Sequence, residues 1–93
     1  MSEAVNEAVA ALAERIGTFD GSVKFVMEGE GAIMIDADGV RAEDGEAECT
    51  LTASPETFKG ILDGSVNATA AFMTGKLALD GDMGTAMRLG TML

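Results

Sequence analysis

The sequence contains no histidine, no tryptophan and no tyrosine, and it has one cysteine, Cys49. Without histidine there is no imidazole general base, no histidine-dependent triad and no imidazole to ligate a metal. A lone cysteine excludes an internal disulfide and suits a reducing cytoplasm, the expected location. Cys49 falls mid-strand on an apolar face, where it reads as a small buried hydrophobe rather than a nucleophile. Ser22, Ser54 and Ser65 have no base in evident reach. Basic residues are scarce too: 6 Lys and Arg stand against 16 Asp and Glu, a formal net charge of -10. Nucleic-acid binding is driven by clustered Lys and Arg, so no nucleic-acid partner is expected. Anionic membranes attract polybasic segments, so at most weak membrane contact is expected. The acids read as a solubilising surface. No apolar run approaches the ~20 residues of a membrane span. The opening MSEAVNEAVAALAERIG lacks the basic start and continuous apolar stretch of a signal peptide. The final Thr91-Met92-Leu93 does not match the Ser-Lys-Leu address.

What is present is a globular composition, 47% hydrophobic and 24% charged, in 93 residues. That is one domain with a modest core, burying somewhat over ~60% of its unfolded surface. Val5, Val9, Leu12 and Ile16 recur at helical spacing and predict a helix over residues 3–16, with Ser2 as cap and Gly17 beyond its end.

Alternation then replaces helical spacing. Val23, Phe25 and Met27 alternate with Lys24, Val26 and Glu28; Ile33, Ile35 and Ala37 alternate with Met34 and Asp36. A three-residue loop of Gly29, Glu30 and Gly31, with a glycine in the left-handed position, sets Phe25 opposite Ile35, Met27 opposite Ile33 and Lys24 opposite Asp36. A two-residue loop would turn one apolar face outward. Asp38-Gly39 predicts a second hairpin that places Asp36 opposite Arg41 and Ile35 opposite Ala42. A fourth strand carries Ala47, Cys49, Leu51 and Ala53 on one face, and a fifth carries Leu77 and Leu79.

Ser54-Pro55-Glu56 opens a helix with Phe58, Ile61 and Leu62 on its apolar face and Gly64 at its end. Asn67 can cap a short helix with Ala71, Phe72 and Met73. Asp82 can cap a last one, with Met83, Ala86, Met87 and Gly90 on one face. Segregated strands and helices predict an α+β fold, with helices on the apolar side of a largely antiparallel sheet.

Chemistry is hard to find in this pattern. Asp36-Ala37-Asp38-Gly39 lacks the further oxygen ligands of a calcium loop and reads as a turn. Glu43-Asp44-Gly45-Glu46 reads as a solvated turn, and the acids around Gly29 and Gly31 would repel a phosphate. No metal, no cofactor and no catalytic residue is expected. What remains is an apolar concavity, the usual shape of a small-molecule site. Met27, Met73, Met83 and Met87 either line it or fill gaps in a small core, and composition by itself favours the latter.

The stretch AFMTGKLALDGDMGTAMRL, from Ala71 to Leu89, resembles the sterol-carrier-protein type-two family. The resemblance rests on Ala71, Phe72, Gly75, Lys76, Leu77, Leu79, Gly81 and Asp82, followed by a helix. Leu51-Thr52 leading into Ser54-Pro55-Glu56-Thr57-Phe58 is similar to that family's strand-to-helix step. The resemblance implies a five-stranded sheet with four helices on one face, in the order α-β-β-β-(crossover)-β-α-α-β-α. It implies a hydrophobic tunnel between sheet and helices, closed partly by the C-terminal helix. It also implies non-catalytic binding and transfer of a lipid: a fatty acid, sterol-like or other apolar molecule. On this reading residues 1–93 are one lipid-binding domain. Phe25, Met27, Ile33, Ile35, Leu51, Phe58, Leu62, Phe72, Met73, Leu77, Met83 and Met87 line the cavity, and Arg15 and Arg88 are candidates for a head-group contact.

The rival reading keeps the fold but fills the cavity, leaving a protein-interaction or accessory module. Such a module would dock on a basic partner, or dimerise through Val26 and Met34 on the otherwise polar sheet face. A monomer or weak homodimer is expected. Cavity volume discriminates the two, with ~300 Å³ or more favouring a binding site.

Overall fold

The computed structural model describes residues 3–92. The order is α1 (Glu3–Arg15), β1 (Val23–Met27), β2 (Gly31–Asp36), β3 (Gly39–Arg41), β4 (Cys49–Ala53), α2 (Pro55–Asp63), α3 (Ala68–Met73), β5 (Leu77–Gly81) and α4 (Met83–Gly90). Ser2, the expected cap of α1, lies outside the described residues. The helix buries Val5, Ala8 and Leu12, while Val9 is only half-buried. Ser54 accepts a hydrogen bond from the Thr57 amide, Asn67 from Ala70 and Asp82 from Thr85. Each cap satisfies a donor that a helix start leaves without an intrahelical partner.

The five strands form one sheet in the order β3-β2-β1-β4-β5. The β1–β4 pair is parallel and the other three are antiparallel. The chain therefore crosses over after the third strand, because parallel neighbours cannot be joined by a tight turn.

Both hairpins are displaced by two residues from the expected registers. In the first, Phe25 pairs with Ile33 and Val23 with Ile35. The loop has the expected length, but it is Glu28-Gly29-Glu30, closed by the Glu30 amide donating to the Met27 carbonyl at 2.9 Å. Gly29, at φ +77°, takes the left-handed place in that turn. In the second, Ile35 pairs with Val40 and Asp36 with Gly39, around a loop of Ala37 and Asp38. A loop of Asp38 and Gly39 in the favoured hairpin turn would need positive φ at Asp38, and no non-glycine residue among those described has one. Arg41 still reaches Asp36 diagonally with two hydrogen bonds, at 2.8 and 2.9 Å. A slide of two residues keeps every side chain on its face, so the inner face is as expected.

Two corrections concern strand extent and the outer face. Ala47 lies outside β4, in the crossover. Met34, expected on a dimer surface, is 4% exposed. The crossover brings Asp44 to 3.0 Å from Lys24, the cross-strand partner of Met34.

The helices stand on the other face. α1 packs on β2 and β3 and against α2; α3 packs on β5, and α4 on β4 and β5. Under α1 the core is tight: Val5, Leu12, Val23, Ile33 and Ile35 are fully buried. Each such side chain contributes about 1.5–3 kcal/mol relative to exposure.

Candidate functional site

The inner face of the sheet is covered unequally. α1 seals the β2–β3 half. Over β1, β4 and β5, where α2, α3 and α4 stand apart, a cavity of about 790 Å³ remains. Its floor is Phe25, Leu51, Leu77 and Leu79 from the sheet. Ile61 and Val66 wall one side, Phe72 and Met73 another, and Met83, Ala86, Met87, Leu89 and Gly90 of α4 a third. Most of the floor is dry: Phe25 is 3% exposed and Leu51 and Leu77 are each 6%, while Leu79 is half-buried. The rim is wet: Phe72 is 40% exposed, Met83 50%, Met87 67% and Met73 79%.

α4 makes this division by amphipathicity. Thr85 and Leu89 face the core, and Met83, Ala86, Met87 and Gly90 turn towards the cavity. Thr85 is the buried polar residue of the described chain. Its hydroxyl donates a short hydrogen bond to the Asp82 carboxylate, which also accepts from the Thr85 amide at 3.2 Å. These bonds hold the Asp82 carboxyl below its ordinary range.

Of the expected lining residues, the cavity brings together Phe25, Leu51, Phe72, Met73, Leu77, Met83 and Met87, with Arg15 at its edge. The structure does not place Met27, Ile33, Ile35, Phe58, Leu62 or Arg88 there. Ile33 and Ile35 lie in the β2 strand on which α1 packs. Phe58 stands edge-on to Phe25, ring centroids 4.9 Å apart, and is consumed by that contact. Met27 is buried in the core and Leu62 packs against it. Arg88 points off the cavity, towards Phe19 and Asp20.

Sequence reasoning left Ile61, Val66, Leu79 and Leu89 off the site. Ile61 and Leu79 stood on predicted apolar faces, and Ala86 and Gly90 were already grouped with Met83 and Met87. Nothing in the spacing marked Val66.

Arg15 is the one charged side chain on the described wall; Asn67, Thr69 and Thr91 are polar. Cys49 is 1% exposed. Burial pushes its thiol up, and the charges of Asp82 and Glu48 push the same way, so it stays protonated and unreactive. Among the described residues no three acidic or sulfur ligands converge on a metal position. No described helix is long and apolar enough to cross a membrane. The arrangement can shelter an apolar molecule.

A profile of the SCP-2 sterol transfer family matches residues 3–93. The chain belongs to that family. Human sterol carrier protein 2 is 34% identical over 64 residues, which are 69% of this chain and 11% of that protein. Hydroxysteroid dehydrogenase-like protein 2 of Danio rerio is 34% identical over 88 residues, 86% of this chain and 21% of that protein. The chain thus spans about a tenth to a fifth of the length of these curated relatives.

Solved members of the family share the fold. Sterol carrier protein 2-like 2 of Aedes aegypti superimposes with a TM-score of 0.81, covering 97% of this chain and 96% of that one at 19% identity. Sterol carrier protein-2 of the same organism, solved in complex with the C16 fatty acid palmitate, gives a TM-score of 0.78 over 98% and 94% of the two chains at 23% identity. Lipid binding and transfer are thus the family's setting. In this member the cavity lies over β1, β4 and β5, rimmed by α3 and α4.

Proposed function

We propose that this chain is a non-catalytic carrier that holds one long apolar ligand, a fatty acid, sterol-like molecule or other lipid, in the cavity beneath α3 and α4. The observation that carries this reading is a void of about 790 Å³ over an apolar sheet floor. That volume sits within the ~300–1,000 Å³ of small-molecule sites. Family membership and the palmitate complex of the Aedes relative support it.

The ligand's tail lies on Phe25, Leu51, Leu77 and Leu79, and Phe72, Met73, Met83 and Met87 close over it. Arg15 stands where a polar or anionic head group would emerge. The ligand needs no cofactor and the site performs no reaction. The 93 residues act as one lipid-binding domain, a monomer or weak homodimer, working in the cytoplasm, which suits its buried unpaired thiol.

Native mass spectrometry of the purified protein, followed by solvent extraction, tests the reading. The expected result is a stoichiometric lipid, or one-to-one uptake of NBD-stearate by the emptied protein. A protein that is empty and also refuses NBD-stearate would sink it and favour the interaction module.

A further inference from the structure

The methionines are sorted by depth. Met27 and Met34 are 3% and 4% exposed. Met73, Met83 and Met87 are 79%, 50% and 67% exposed, and all three line the cavity mouth. The deeper wall positions carry Phe25, Leu51 and Leu77 instead, which peroxides do not attack. Among the other described oxidisable side chains, Met92 is 39% exposed but lies off the cavity wall. The sequence has no Trp, Tyr or His, and Cys49 is 1% exposed. A hydroperoxide arriving from water therefore meets rim thioethers first.

We infer that Met73, Met83 and Met87 are an oxidative modification site that gates the cavity: their sulfoxides weaken apolar ligand binding, and thiol-dependent reduction restores it. The inference rests on the proposed carrier function. The chemistry is a two-electron oxygen transfer. A thioether lone pair attacks the distal oxygen of the hydroperoxide, the O–O bond breaks, and sulfoxide plus water or alcohol result. Methionine sulfoxide reductases reverse it, passing the oxygen to water while a dithiol becomes a disulfide. Each sulfoxide replaces a soft apolar group by a polar one that loses water when the rim closes on a ligand. Oxidation of all three is expected to weaken binding about tenfold.

The test treats the whole protein with dilute hydrogen peroxide, maps sulfoxides by peptide mass spectrometry, and titrates NBD-stearate before and after. Expected are sulfoxides at Met73, Met83 and Met87 ahead of Met27 and Met34, a roughly tenfold weaker Kd, and recovery after combined methionine sulfoxide reductases A and B. A triple variant, Met73→Leu, Met83→Leu and Met87→Leu, is compared only with itself before and after peroxide. Its Kd should not move, although Met92, 39% exposed and off the cavity wall, still oxidises. An unchanged Kd in the oxidised natural protein, or an equal loss in the triple variant, overturns the inference while leaving the carrier reading intact. Failure of the untreated protein to bind NBD-stearate overturns both.

Discussion

Arg88 lays its guanidinium over the ring of Phe19, 5.5 Å from the centroid, and donates to the Asp20 carbonyl at 3.0 Å. The contact ties α4, a wall of the cavity, to the connection between α1 and β1. Removing it by Arg88→Ala should lower stability by about 1–2.5 kcal/mol, roughly 0.5–1 from an exposed cation–π contact and roughly 0.5–1.5 from a solvent-exposed hydrogen bond. Hydrogen exchange should quicken in α4 and not in β1. Arg88→Lys should recover part of the loss, since the ammonium keeps its charge over the ring and loses the planar fork. Unchanged α4 exchange in Arg88→Ala would remove the clamp from the account.

Phe25 and Phe72 both border the cavity and should answer differently to truncation. Phe25 is buried and stacked edge-on against Phe58, so Phe25→Ala should cost about 3–5 kcal/mol. Phe72 is 40% exposed on the rim, so Phe72→Ala should cost about 1 kcal/mol or less and weaken NBD-stearate binding several-fold. Urea unfolding and ligand titration of the two variants separate the effects. A large stability loss in Phe72→Ala with unaltered affinity per folded molecule would assign Phe72 to the core instead.

Acid should loosen α4. The Asp82 carboxyl is held low chiefly by the Thr85 hydroxyl and amide, Asp36 by Arg41 and the Asp38 amide, and Asp63 by Ser65. A carboxyl depressed in the folded state adds stability above its unfolded value, ordinarily 3.8. That contribution is lost as pH falls through the folded value below it. Melting temperature should therefore drop most steeply below about pH 4. Asp82→Asn keeps a cap acceptor and loses the charge. It should melt lower than the natural protein at pH 6, with the gap narrowing as pH falls below the ordinary carboxylate range of about 4. A gap that does not change with pH would show that the Asp82 charge contributes nothing.

Gly81 pairs with Cys49 at φ +106°. A Cβ there would lie 2.5 Å from the Glu48 carbonyl oxygen and 3.0 Å from the Cys49 Cα. Backbone cannot swing aside as a side chain can, so Gly81→Ala should cost on the order of 3 kcal/mol. It should also disturb the 3.0 Å bond from the Asp82 amide to Glu48 that sets the start of α4. Gly64 has φ +86° but open space around it, and Gly64→Ala should cost only about 1 kcal/mol. Thermal unfolding of both variants checks the ratio, and equal losses would mean that strain rather than contact decides.

Local chemistry by itself determined much of this protein. Helical spacing of Val5, Leu12 and Ile16, strand alternation around Phe25 and Ile33, and capping by Ser54, Asn67 and Asp82 are short-range properties, and the elements appear where they predict. The absence of histidine ruled out imidazole chemistry from the chain's own residues. The resemblance around Ala71–Asp82, rather than spacing, supplied the crossover. Tertiary structure decided three other things. It chose the hairpin registers, because alternation has a period of two and a slide of two residues leaves every face unchanged. It buried Met34 on the sheet face away from the helices, which strand periodicity cannot see. It divided one continuous apolar sheet face into a half sealed by α1 and a half left open beneath α3 and α4. Which apolar residues became core and which became cavity wall depended on where the helices landed, a long-range packing outcome that no single stretch of sequence contains.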